Sequence, residues 1–193
     1  LASGKNTVAS GEGSHAEGTY TTSSSNGKNI IYNNIVASGE GSHAEGAGTT
    51  ASGSCSHAEG SGTCACGSIS HAEGEKTTAS GEASHAEGYK ALAPGYYNHA
   101  AGECTTASNS RSHAEGTSTY ASGFSSHAEG GYTKASSDYS HAEGFNTSAS
   151  GYCSHASGMY TCASNHSSYV IGKYNAAMTD GGSYDSATGT AFA

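Results

Sequence analysis

The residues of this chain that could do chemistry come as one short string, repeated: Ser14-His15-Ala16-Glu17-Gly18 is its first copy. Histidine stands at His15, His43, His57, His71, His85, His99, His113, His127, His141 and His155. From His43 onward the spacing is fourteen without a slip, and His15 lies two such periods before His43. Two residues after each histidine the column reads Glu17, Glu45, Glu59, Glu73, Glu87, Glu115, Glu129 and Glu143, with Ala101 and Ser157 as departures. Three chemistries use these residue types. His-x-Glu is half of a zinc nucleobase deaminase site, which also needs Pro-Cys-x-x-Cys. That half is missing, since the sole proline, Pro94, precedes Gly95 and the closest cysteine pair is Cys64-Ala65-Cys66. Ser14, His15 and Glu17 supply the types of a hydrolytic triad, but neighbours on a strand face opposite ways, so nucleophile and base do not meet within a chain. One copy per repeat is also no single active site, so no catalytic residue is assigned and the chain is read as a non-enzyme. Metal binding is the third, because imidazole with carboxylate suits Zn, Ni or Cu. The same pairs satisfy each other as a hydrogen-bonded or ion-paired ladder, and that ladder is the expectation, with no metal or cofactor assigned.

The elements that must carry these pairs follow from composition and period. Among 193 residues there are 29 Gly, no Trp, 3 Phe and 1 Pro, and Leu, Ile, Val and Phe together supply only 13 side chains. An ordinary globular core cannot be built from that inventory, which leaves disorder or a repeat architecture with a thin interior. A disordered tract has no reason to hold a phase through ten copies. Each period, as in residues 9 to 22 (ASGEGSHAEGTYTT), divides into two sevens, each one strand and one turn. Gly11 and Gly18 occupy equivalent places at the corners, where positive φ is useful, and the two variable residues after each are the turn tips. Two strands per period describe a parallel β-solenoid, and around thirteen coils at about 4.8 Å would reach on the order of 60 Å. The repeat domain is read as residues 1–176, with 23–36 (SSSNGKNIIYNNIV) as one degenerate period rather than an insertion. On that reading Asn29 and Ile31 hold the His and Glu columns there. Residues 177–193 are a degenerate last repeat or the start of a following segment.

Alternation decides what lies inside. In Ser14-His15-Ala16-Glu17-Gly18 the small residues share one face and His15 and Glu17 the other, so the small set faces inward. In the second strand Thr49 and Ala51 point in, and Thr50 and Ser52 out. A roll so poor in bulk is expected to self-associate. The Thr22 column drifts through Val36, Cys64, Leu92, Tyr120 and Lys134 and looks solvated, whereas the His and Glu columns hardly vary. A pair held that tightly is placed in an interface, where each side chain has a fixed neighbour.

The last clear repeat carries Ser168-Tyr169-Val170-Ile171-Gly172 where its predecessors carry Ser-His-Ala-Glu-Gly. This resembles the Ser-Val-Ala-Ile-Gly core motif of the head domains of YadA-like trimeric autotransporter adhesins. The resemblance implies a left-handed parallel β-roll that assembles as an intertwined or side-by-side homotrimer. It also implies that the trimer contact runs along the His and Glu columns and onto Tyr169 and Ile171. Nearly every apolar position of the family interface is ionisable here, so its packing chemistry does not carry over. Similar repeats resemble fibre segments of phage tail and appendage proteins, which implies an extracellular, cell-surface or virion setting.

Charge and cysteine narrow the function. Net charge is −9 with neutral His, and there is no basic stripe for nucleic acid. No apolar stretch of membrane length and no signal peptide are present, and because Leu1 opens inside a half-repeat the sequence is expected to be a fragment. Of six Cys, Cys64 and Cys66 point outward on one strand, and free thiols are expected, with interchain bridges as the alternative. Aromatic residues at the turn tips, Tyr20, Tyr89, Tyr96, Tyr97, Phe124, Tyr132, Tyr139, Phe145, Tyr152 and Tyr160, form a candidate receptor surface for a host glycan or protein, or else shield coil edges. The reading is a non-catalytic trimeric fibre or adhesin segment. Its alternatives are a self-assembling structural filament and an ice-binding solenoid, the last weakened by the broken Thr column. If each Glu favours protonated His, the His pKa values are raised and stability peaks in mildly acidic solution.

Overall fold

The computed structural model describes residues 1–19, 22–25, 28–31 and 34–175, the two four-residue pieces by their backbone. Every regular element among them is a β-strand, and they form about eleven coils of about 14 residues, fewer than the sequence suggests. The chain divides into two compact units, Leu1–Tyr97 and Asn98–Ala193.

In the first unit one parallel sheet takes Ala2–Gly4, His15–Gly18, His43–Ala47, His57–Ser61, His71–Glu75 and His85–Tyr89 in that order. The opposite sheet takes Thr7–Ala9, Ile35–Ala37, Thr50–Ala51, Cys64–Ala65, Thr78–Ala79 and Leu92–Ala93. The second unit repeats the plan, from His99–Glu103 to Tyr169–Lys173 in one sheet and from Thr106–Ala107 to Cys162–Ala163 in the other. Register is by like on like: His57 pairs His71, Ala58 pairs Ala72, Glu59 pairs Glu73 and Gly60 pairs Gly74.

The interior is filled by the smallest side chains that alternation could send there. Ala44, Ala58, Ala72 and Ala86 in one sheet and Ala51, Ala65, Ala79 and Ala93 in the other are wholly buried, with Ser42, Ser56, Thr49 and Thr63 beside them. Ile35 is the one large apolar side chain wholly buried among the described residues. The serines close the corner that precedes them: Ser56 Oγ donates to the Gly53 carbonyl at 2.7 Å, and Ser42, Ser70, Ser84 and Ser126 do the same three residues back at the same distance.

Two glycine columns that look alike in sequence do different work. Gly116 has φ +110, a left-handed backbone that a side chain disfavours. Gly53 has no such dihedral, but a Cβ there would lie 1.8 Å from the carbonyl oxygen of Gly67 in the next coil, so its glycine permits coil to lie on coil. The second tip residue takes a positive φ in both halves of the repeat, as at Cys55 (φ 53), Ile69 (φ 58) and Ala83 (φ 49) after the Gly53 column and at Lys76 (φ 58) and Ser118 (φ 54) after the Gly116 column. The equivalence expected of Gly11 and Gly18 is thereby corrected.

Residues 23–36 are not one degenerate coil. Thr22–Ser25 and Lys28–Ile31 pair with each other antiparallel, and His15 pairs directly with His43 while Thr7 pairs with Ile35. A two-stranded hairpin has been inserted between coils, and because it adds one whole period the histidine phase is kept. Asn29 and Ile31 therefore leave the His and Glu columns and lie in the hairpin, across from Ser24 and Thr22. Tyr20, residue 176 of the repeat domain and the segment 177–193 lie outside the described residues.

Candidate functional site: the histidine and glutamate face and the aromatic edges

In each His strand, alternation turns the imidazole and the carboxylate to the outside, side by side. His43 Nε2 lies 3.5 Å from Glu45 Oε2, His57 3.7 Å from Glu59, and His71 3.9 Å from Glu73. His15 with Glu17 (3.4 Å), His113 with Glu115 (3.3 Å) and His127 with Glu129 (3.5 Å) repeat the pairing. The partners belong to one strand of one chain. His155, whose own strand has Ser157 in place of Glu, turns to Glu143 of the preceding coil at 3.6 Å. Both columns stand about one-third to one-half exposed, for example 36% for His113 and 53% for Glu115.

Because the sheet is parallel and in register, each imidazole also stacks on the next. Ring centroids of His15 and His43 are 4.8 Å apart and those of His71 and His85 4.9 Å, within 2° and 1° of parallel. In the second unit His127 and His141 stay parallel within 2°, whereas the rings tilt by 58° between His99 and His113 and by 63° between His141 and His155. Tyr169 ends the column over His155 at 4.6 Å, with Ile171 continuing the Glu column opposite Ser157.

At His113 and His141, burial together with this stacking reverses the expected direction of titration. Burial holds the His113 pKa below the usual imidazole value, and the charges that His127 and His99 would carry lower it further, against the smaller raising effect of Glu115. His141 is likewise lowered by burial and by His127 and His155, against Glu143 and Glu129. Protonating one ring of a stack makes its neighbours harder to protonate. The Glu143 carboxyl is held below its usual value, first by a hydrogen bond from Ser157 and also by His141 and His155. The raising of a histidine by the carboxylate beside it is therefore outweighed at His113 and His141, and the expected stability peak in mild acid is withdrawn.

The aromatic edges lie at the two turns. In the second unit one track runs Phe124, Tyr139, Tyr152 and His166, with ring centroids 5.6, 5.6 and 5.1 Å apart. The other runs Tyr132, Phe145, Tyr160 and Tyr174, at 5.7, 5.7 and 5.0 Å. Most rings meet edge to face, a packing that steadies neighbouring turns and still leaves Tyr132, Tyr139, Phe145, Tyr152 and Tyr160 exposed. In the first unit Tyr96 and Tyr97 are exposed, and Tyr89 lies under the ammonium groups of Lys90 and Lys76 at 4.9 and 5.7 Å. Arg111 covers Phe124 at 5.3 Å. The cations over rings, together with His166 and Tyr174, were not singled out from the sequence, although their turn-tip positions would have revealed them. Cys64 and Cys66 are joined across Ala65 as a disulfide, which corrects the free thiols expected there, while Cys55, Cys104, Cys153 and Cys162 are free. No helix among the described residues is long and apolar enough to cross a membrane.

The family model described as the YadA head domain repeat matches two stretches, residues 2–23 and 72–103. Comparison with curated proteins gives no match. The match shows YadA-like head repeats, a structural repeat of adhesin type, in those two stretches, and the coil length and stacked parallel sheets of the described residues support the same repeat.

Proposed function

We propose that this chain is a non-catalytic segment of an extracellular fibre or adhesin head, on a cell surface or virion. It assembles as a homotrimer through the face that carries His and Glu, and it presents its aromatic turn edges to a host glycan or protein receptor. One observation carries the reading: the interior holds Ala, Ser and Thr almost alone, while a regular outer face of His and Glu is left half-exposed. A roll with so little apolar burial of its own gains from contacts between chains, and the YadA head repeat supports three copies as the form they take. Tyr169 and Ile171 extend the proposed contact face at the last described coil. The exposed rings are placed for recognition because aromatic side chains give contact area at small entropic cost.

The test is the native mass of the purified chain, combined with unfolding at several protein concentrations. A trimer whose unfolding midpoint rises with concentration supports the proposal. A monomer with a concentration-independent midpoint overturns it.

A further inference from the structure

The His and Glu face has a feature that a simple ladder leaves unexplained. Nε2 of His43, His57, His71, His127 and His141 is shielded from solvent and has no hydrogen-bond partner. The nearest carboxylate oxygens, at 3.5 Å for His43, 3.7 Å for His57 and 3.9 Å for His71, lie beyond ordinary hydrogen-bond reach. Those separations are instead close to the edge of a tetrahedron around an ion with bonds of about 2.0–2.1 Å, roughly 3.4 Å. Three groups share this arrangement, His43, Glu45 and His57; His57, Glu59 and His71; and His127, Glu129 and His141, with all ligand atoms of each within 4.8 Å of one another. Glu73, His85 and Glu87 make a fourth.

We propose that this face binds divalent transition-metal ions of the Zn(II) class, each held by two imidazoles from neighbouring coils and one carboxylate, or by one imidazole and two carboxylates at His85. Imidazole donors favour Zn, Ni and Cu over Ca or Mg. To meet at one ion, two stacked rings must approach by about 0.7 Å each, given tetrahedral bond lengths. The tilts of 31° between His113 and His127 and 63° between His141 and His155 show that rings of this column do leave the parallel stack. His57 belongs to two groups and serves one ion at a time. The first unit therefore holds two ions and the second unit one, with coordination completed by water or by a neighbouring copy. The inference needs only groups of a single chain and stands apart from the trimer.

The experiment is titration of the full chain with Zn(II), by calorimetry, after EDTA treatment and with thiols blocked by iodoacetamide. Co(II) absorption reads the coordination in parallel. About three ions per chain are expected, with intense visible Co(II) bands. His141→Ala should remove one ion, and so should Glu129→Gln, which keeps the side-chain shape should the His variant fold poorly. No saturable binding overturns the inference, and so does a stoichiometry that neither variant changes. Native mass taken on the same samples reads the trimer separately: ions bound by a monomer uphold this inference and sink the trimer, and a trimer without ions does the reverse.

Discussion

Replacing Gly116 by Ala tests the view that close coil stacking, rather than a hydrophobic core, sets the stability of this roll. The new Cβ would lie 2.1 Å from the Gly130 carbonyl oxygen and 2.9 Å from its carbon, against ordinary contact from 3.4 Å. The coils would have to part by about 1.3 Å to restore that contact. Ladder bonds such as His113 N–H to the Ser126 carbonyl, at 2.9 Å, would then stretch past hydrogen-bond range. Two such losses at about 1 kcal/mol each, with about 1–3 kcal/mol for a side chain at φ +110, give a destabilisation of about 3–5 kcal/mol. Ser118→Gly in the same coil is the control. Ser118 already has φ 54, so glycine relieves a dihedral cost of about 1–2 kcal/mol and returns a similar amount in unfolded-chain entropy, for a net change within about 1 kcal/mol. Urea unfolding of the two variants and the parent, at one protein concentration, measures the contrast. A Gly116→Ala variant within about 1 kcal/mol of the parent, or a Ser118→Gly variant as damaged as Gly116→Ala, refutes the reasoning.

Acid should weaken the fold. The depressed His113 value means that the unfolded chain binds protons more readily than the folded one, so its contribution is full above the ordinary pKa near 6.5 and is lost as pH falls below it. Glu143, also depressed, loses its contribution at lower pH still, in the same sense. The thermal midpoint of EDTA-treated protein should therefore fall from pH 7.5 to pH 5, and a midpoint that rises over that span contradicts the account of burial and stacked like charge. Ala128→Val puts two methyl groups into a wholly buried position between sheets and should cost about 1–3 kcal/mol in urea unfolding. Tyr139→Ala, Phe124→Ala and Tyr152→Ala should leave assembly intact by native mass while weakening adhesion to a glycan array or host-cell layer. Unchanged adhesion by an intact assembly would make these rings edge shields alone.

Much of the fold was legible because strand alternation and a fixed period constrain each other. Once Ala44 and Ser42 face inward, His43 and Glu45 must face out, and the small residues of the Thr strand must close the other side. The inserted hairpin was hidden for the same reason: an insertion of one period leaves no break in phase, so only the direct pairing of His15 with His43 exposes it. Gly53 and Gly116 look equivalent in sequence, and each faces a close carbonyl of the next coil, yet only Gly116 also adopts a left-handed dihedral, a distinction that needs coordinates. The direction at His113 went astray because a glutamate two residues away is visible in a strand, whereas the burial that opposes it, and the like charges fourteen residues away and one layer along, come only with the stacked coils.

In-register stacking also explains why the outer face needs two columns rather than one. Parallel pairing places every residue on its own kind, so a column of glutamates alone would set like charges one layer apart, at a cost of about 1 kcal/mol per neighbouring pair even in bulk water. A histidine column two residues away offers groups that can take up a proton, an ion or a neighbouring chain, and the cost of taking up protons rises with each ring already charged. The Ser157 substitution shows the columns acting together, since His155 turns to Glu143 and Ser157 donates to that same carboxylate. The face therefore responds as an array, and removal of one carboxylate should shift the titration of imidazoles in the coil beside it as well as in its own.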